Sequence, residues 1–169
     1  IERYAAHLTF WTSEADGGHA DALNKGFAKT TGEIMCWINS SDMQYPWTLH
    51  TVAEIFSQLP QVDWIAGVPS LFDAAGRPRA VAFPRRLNIY DVLAGDYRWI
   101  QQESVFWRRR LWERAGGRVD AELTCASDFE LWLRFFRSAR LYSVSTVLAG
   151  YRIHDDRLGE AGDGLYERE

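Results

Sequence analysis

Ile34-Met35-Cys36-Trp37-Ile38 is the longest unbroken apolar run in the chain, and Asn39-Ser40-Ser41-Asp42 closes it at once. A run this short predicts a strand buried on both faces and excludes a membrane span, which needs ~18 apolar residues. Ahead of it, His19 to Thr31 predicts a helix closed by Gly32, with Ala20, Leu23, Phe27 and Ala28 on one side. Behind it, Pro46 opens a helix to about Gln58 whose stripe is Leu49, Val52, Ala53 and Phe56. Trp64 to Phe72 reads as a strand, Asp73-Ala74-Ala75-Gly76 as a turn, and Arg79 to Phe83 as the hairpin partner. Asn88 with Asp91 starts a short helix. Ile100 to Trp107 is strand-like, and Arg108 to Ala115 is a helix ended by Gly116-Gly117. Ser127 to Ser138 predicts a helix opened by a Ser127/Glu130 capping box, with Leu131, Trp132, Phe135 and Phe136 on its apolar side. Leu141 to Val147 and Gly150 to His154 are the last extended pieces. Strands alternate with helices early and hairpins come later, which gives an α/β fold with a sheet of mixed direction.

The 169 residues fit one domain, and 47% apolar with 25% charged residues exclude disorder. The start, Ile-Glu-Arg-Tyr, carries no apolar signal segment and no methionine, which reads as a fragment. A net charge of −4 with no like-charge block beyond Arg108-Arg109-Arg110 excludes broad nucleic-acid binding. Cys36 lies in the apolar run and Cys125 lacks metal spacing, so a reducing compartment is expected. The eight tryptophans serve either as core or as platforms for sugars or bases.

Five stretches can carry chemistry. Asn39-Ser40-Ser41-Asp42 follows the buried strand, where ligands of α/β sheets sit, and an acid there can hold a hard cation against a diphosphate. The same residues also suit a polar turn into the next helix. In Ser127-Asp128-Phe129-Glu130, helical spacing puts Asp128 beside Leu131 and Phe135 at the rim of an apolar face. Asp128 is there either as a general base or as an acid favoured by the helix dipole, while Glu130 is used by the cap. Tyr151-Arg152-Ile153-His154-Asp155-Asp156 is a metal site or a solvated loop. Gln101-Gln102-Glu103-Ser104 running into Val105-Phe106-Trp107-Arg108 suits a hydroxyl-rich ligand or an edge strand with a wet face. Gly18 to Gly26 enters a helix whose free N–H groups and Lys25 can meet a phosphate.

The order of these motifs is more specific than any one of them. Asp21-Ala22-Leu23-Asn24-Lys25-Gly26-Phe27-Ala28 through Thr31-Gly32-Glu33-Ile34 to Trp37-Ile38-Asn39-Ser40-Ser41-Asp42 resembles family 2 glycosyltransferases. So do Gln102-Glu103-Ser104-Val105-Phe106-Trp107-Arg108, Asp128-Phe129-Glu130-Leu131-Trp132-Leu133-Arg134 and Tyr151-Arg152-Ile153-His154.

The resemblance implies a GT-A fold, a mixed central sheet flanked by helices, and inverting transfer of a sugar from a nucleotide-sugar donor to a saccharide or lipid-linked acceptor. It implies Mg²⁺ or Mn²⁺ at Asp42 and His154, donor contacts at Asp21, Asn24, Lys25 and Ser41, and Asp128 as the base. Gln102, Glu103, Trp107 and Arg108 are expected around the acceptor. Ser41 and Asn39 stand where the family often carries aspartates. The family's opening βαβ part has no counterpart here, so the chain is expected to be one truncated domain, inactive alone and able to dimerise through the bared sheet edge. Polysaccharide or glycoconjugate synthesis in the cytoplasm, peripheral to the inner membrane face, is the expected setting. A non-catalytic relative, a tryptophan-rich carbohydrate-binding module and a metal-dependent phosphohydrolase are the other classes compatible with these residues.

Overall fold

Alternate residues of a strand face opposite sides, so one short strand can anchor two separate cores. The computed structural model describes residues 1–96 and 100–153. Its elements begin with α1 (His19–Ala28), β1 (Ile34–Met35), β2 (Met43–Gln44), α2 (Thr48–Gln58), β3 (Trp64–Ala66) and β4 (Ser70–Phe72). They continue with β5 (Pro78–Val81), α3 (Ile89–Leu93), β6 (Val105–Arg108), α4 (Arg109–Arg114), α5 (Ser127–Phe136), β7 (Leu141–Ser143) and β8 (Ala149–Arg152). One sheet has the order β1–β6–β3–β7 and the other β2–β8–β4–β5. Pairing is parallel for β3 with β7 and for β4 with β8, and antiparallel for the rest, so the direction is mixed as expected for an α/β chain.

In the first sheet Trp64, Ala66, Val105 and Trp107 point to one side and meet Phe27 of α1, Leu111 of α4, and Leu131, Trp132 and Phe135 of α5. Ile65 and Phe106 point to the other side and meet Val52 and Phe56 of α2. Helices therefore cover both faces. The tryptophans are mostly core: Trp64, Trp107 and Trp132 are fully buried, and Trp132 stacks on Trp37 with ring centroids 5.7 Å apart.

Several expected elements are shorter than the apolar pattern suggests. The run Ile34 to Ile38 is a strand only over Ile34–Met35, and it lies at the edge of its sheet rather than between neighbours. Beyond Met35 the pairing with β6 ends, although Phe106 and Val105 continue that strand. Gln102 Nε2 instead donates to the Trp37 carbonyl at 2.8 Å, and Ile38 is exposed. Trp64 to Phe72 splits into β3 and β4, which join different sheets. Pro69 between them cannot donate to a ladder, and a Cβ on Gly67 would lie 2.9 Å from Leu148 Cγ. On α2, Leu49 and Ala53 are exposed and Thr48 takes the buried position, its hydroxyl bonded to the Leu148 carbonyl. The capping box at the start of α5 does not form: Ala126 is the N-cap, and Glu130 takes two hydrogen bonds of 2.7 Å from Arg134. Arg134 also reaches the carbonyls of Ala115 and Arg118, which pulls Glu130 along the helix and away from Ser127.

Among the described residues no helix is long and apolar enough to cross a membrane.

Candidate functional site

Three connections converge on one cavity of about 230 Å³, lined by His19, Trp37, Asn39, Gln102, Glu103, Cys125, Ser127, Asp128 and Tyr151. The loop after β1 supplies Asn39, the helical turn Gln102–Ser104 supplies Gln102 and Glu103, and the first turn of α5 supplies Asp128. Each connection sits at an element end, where backbone groups and side chains are not consumed by packing.

The polar wall is tied together in sequence. Asn39 Nδ2 lies 3.2 Å from Asp42 Oδ2 and 3.2 Å from Gln102 Oε1, while its Oδ1 lies 3.2 Å from His19 Nε2. Asp42 Oδ1 accepts from the Arg152 backbone N–H at 3.1 Å, which joins the loop to β8. Asp42 is buried, one hydrogen bond behind the cavity wall. Asp128 is half-buried in the same lining, and its Oδ1 accepts from Phe129 N–H at 2.8 Å. Glu103, which lines the same cavity, is only 3% exposed and its Oε1 has no hydrogen-bond partner. Burial pushes its carboxyl up to about 8, and the nearby Asp42 and Asp128 push the same way.

The expected site residues divide sharply. Asp128, Gln102 and Glu103 line the cavity, and Asp42 stands just behind it. Glu130 is held by Arg134 instead. Trp107 and Arg108 do not reach the cavity, which corrects their placement around an acceptor. Trp107 is fully buried among aromatic rings. The Arg108 guanidinium is buried against the Val62 and Phe56 carbonyls, paired with Glu33 and laid over the Phe56 ring. Asp21, Asn24 and Lys25 are likewise elsewhere. Asp21 and Lys25 pair at 3.0 Å on the exposed side of α1, with Gly17 N–H and Lys25 holding the Asp21 carboxyl below its usual range. Asn24 clips both backbone groups of Val119, at 2.9 and 2.8 Å. Ser41 is half-buried and not part of the lining. His154 lies outside the described residues.

His19, Trp37 and Tyr151 belong to the lining; each lies within a stretch that the sequence singles out, but none is among the expected site residues. Trp37 lies within an apolar run and reads as core, which it also is. His19 is the first residue of α1, a position whose exposed N–H end was readable while the side chain's direction was not. Cys36 is a core thiol, pushed up to about 11 by burial.

Among the described residues no group of three or more His, Cys, Asp or Glu is placed to hold a metal ion. Asp42 is buried behind the cavity wall, with Oδ2 bonded to Asn39 and Oδ1 to the Arg152 N–H, so a cation such as Mg²⁺ there would have to be completed by substrate phosphates and water.

No family model matches the chain. By sequence it is similar to an uncharacterized glycosyltransferase of Rickettsia conorii, 27% identical over 163 residues that cover 91% of this chain and 26% of the relative. An uncharacterized glycosyltransferase of Mycobacterium tuberculosis is 27% identical over 147 residues, 85% of this chain and 54% of the relative. By fold it is similar to S. aureus TarS 1-349 solved with UDP-GlcNAc, with a TM-score of 0.70 at 13% identity over 95% of this chain and 47% of that one. The same protein solved with UDP gives a TM-score of 0.67 at 15% identity over 90% of this chain and 46% of that one. The chain thus spans about a quarter to a half of the relatives it matches. It has the mixed α/β fold of part of TarS, and the curated relatives it resembles in sequence are named glycosyltransferases.

Proposed function

We propose that this chain carries the transfer centre of an inverting, GT-A-type family 2 glycosyltransferase that moves a sugar from a nucleoside diphosphate to an acceptor hydroxyl. The observation that carries the reading is the convergence of Asp128 and the Asp42–Asn39–Gln102 network, far apart in sequence, on one cavity. A sugar hydroxyl is a poor nucleophile at neutral pH. Asp128 accepts its proton as the new bond forms at the anomeric carbon, on the face opposite the departing diphosphate. One base on one face suffices for inversion. Asn39 and Gln102 supply amide groups that orient the donor, and Trp37 supplies an aromatic wall for a sugar ring. Asp42 would hold Mg²⁺ or Mn²⁺ against the diphosphate, and such a cation offsets the charge of the leaving group.

TarS has been solved with UDP and UDP-GlcNAc, so uridine diphosphate sugars are the first donors to try. The acceptor is a saccharide or lipid-linked glycan of a surface polysaccharide or glycoconjugate. The full-length protein is incubated with UDP-sugars, Mn²⁺ and glycan acceptors, and the anomeric configuration of the product is read by NMR. Transfer with inversion is expected. Transfer with retention overturns the single-base reading, and donor binding without transfer favours a non-catalytic relative.

A further inference from the structure

We infer that Glu103 holds a hydroxyl of the donor's own sugar, from the cavity wall that it shares with Asp128, and thereby selects which sugar is transferred. This rests on the nucleotide-sugar reading of the site and assigns Glu103 away from the acceptor.

The argument begins with satisfaction. Buried polar groups are almost always paired, and an unpaired one costs free energy. Around this site most buried side chains obey the rule, Trp37 Nε1 and Arg152 Nε excepted: Gln102 bonds to the Trp37 carbonyl, Ser104 and Ser70 to the Ala149 carbonyl, and Asp42 to Asn39 and Arg152. Glu103 breaks it, being more deeply buried than Asp42 yet leaving Oε1 without a partner. Its backbone is not loose. Gln102 on one side and Ser104 on the other are both anchored by their side chains, so the turn is fixed before any ligand arrives.

Chemistry then narrows the ligand. The charged groups acting on Glu103 are the acids Asp42 and Asp128, which disfavour a phosphate or carboxylate at that point. A neutral hydroxyl suits the place, because it donates to an ionised carboxyl and accepts from a protonated one. Trp37 Nε1, a donor in the same cavity lining, is also unpaired. Trp107 and Trp132 keep unpaired indole N–H groups too, but in the core, away from the cavity lining, so the carboxyl carries the argument.

Position decides between donor and acceptor. Glu103 follows Gln102, which is linked through Asn39 to Asp42, and it lines the same cavity as Asp128, so a unit linked to a diphosphate at Asp42 and attacked beside Asp128 lies against it. That unit is the transferred sugar.

The test measures binding of UDP, UDP-glucose and UDP-GlcNAc to the full-length protein by calorimetry with Mn²⁺, for the wild type, Glu103→Ala and Glu103→Gln. The expected result is an unchanged UDP affinity with a loss of about tenfold or more in affinity for the preferred UDP-sugar in Glu103→Ala. A UDP-sugar lacking the contacted hydroxyl should bind wild type and Glu103→Ala alike. Glu103→Gln keeps the shape and a hydrogen-bonding amide, so it covers the case in which the alanine variant fails to fold, and its UDP-sugar affinity should fall between the two. Equal weakening of UDP and UDP-sugar overturns the inference in favour of a structural role. Unchanged donor affinity with a raised acceptor KM overturns it in favour of the acceptor. Wild type that binds neither UDP nor any UDP-sugar sinks the transferase reading itself, which a Glu103 failure alone does not.

Discussion

The Arg152 backbone N–H donates to Asp42 Oδ1 at 3.1 Å, joining residues 110 apart in the chain. This bond fixes the loop after β1 against the end of β8 and brings the segment that leads to His154 up to the acidic motif. It also gives Asp42 a fixed orientation before any ligand binds, as a diphosphate-side acid requires.

Asp128 and Glu130 are separable by mutation. Asp128→Asn should lower kcat by roughly 10²-fold or more while leaving donor Kd nearly unchanged. Glu130→Gln should leave kcat intact and cost about 1 kcal/mol of stability or less, because it weakens a partly exposed pair with Arg134. A normal kcat in the Asp128 variant would remove it from the chemistry.

Stability should fall with pH on account of Glu103. Its carboxyl is raised from 4.5 to about 8, so the folded chain binds that proton more tightly than the unfolded chain does. The stabilising contribution is complete below about 4.5, shrinks as pH rises, and is gone above about 8. Glu103→Gln removes this dependence. His19, Cys125, Asp128 and Tyr151 line the same cavity and are present in both proteins. Urea unfolding at pH 5, 6.5 and 8.5 should show the wild type losing a few kcal/mol relative to the variant across that range. Parallel curves would count against the buried acid.

Arg108→Ala tests the correction at β6. The guanidinium satisfies two carbonyls and Glu33, so its loss should cost about 3 kcal/mol or more. Donor and acceptor affinities of the folded fraction should not change. A selective rise in acceptor KM would return Arg108 to the site.

Two glycines should behave oppositely. A Cβ on Gly150 would sit 2.5 Å from Phe72 Cε2 and 2.5 Å from Ser70 Oγ, so Gly150→Ala should destabilise by about 1–3 kcal/mol. Gly26 lies inside α1 with open space around it, so Gly26→Ala should stabilise by about 0.5–1 kcal/mol. Thermal melts of both variants check the pair.

How far the sequence discloses this molecule depends on the range of the interaction involved. Helix α5 and the Asn88 cap of α3 are legible because their signals are local: apolar spacing in one case and a side chain reaching two and three residues on in the other. The end of β1 is not legible, because it depends on Gln102 taking the Trp37 carbonyl across 65 residues. The Ser127 cap fails for a similar reason, since Glu130 is drawn to Arg134, whose position is set by the carbonyls of Ala115 and Arg118. In the site, residue types at element ends pointed to Asp128, Gln102 and Glu103. The resemblance implies a donor contact at Asn24, and spacing cannot show that Val119 occupies its amide.

Trp37 belongs both to the cavity wall and to the aromatic stack, lying at 15° to Trp132 while Trp64 lies at 29° to the same ring with centroids 5.8 Å apart. Indoles this close couple their electronic transitions, so the near-ultraviolet circular dichroism of the protein reports their mutual angles. A molecule entering the cavity touches one end of this coupled array and shifts that signal without any added label. The chain therefore carries its own optical probe of occupancy, and Trp37→Phe should silence it while leaving the Trp64–Trp132 component in place.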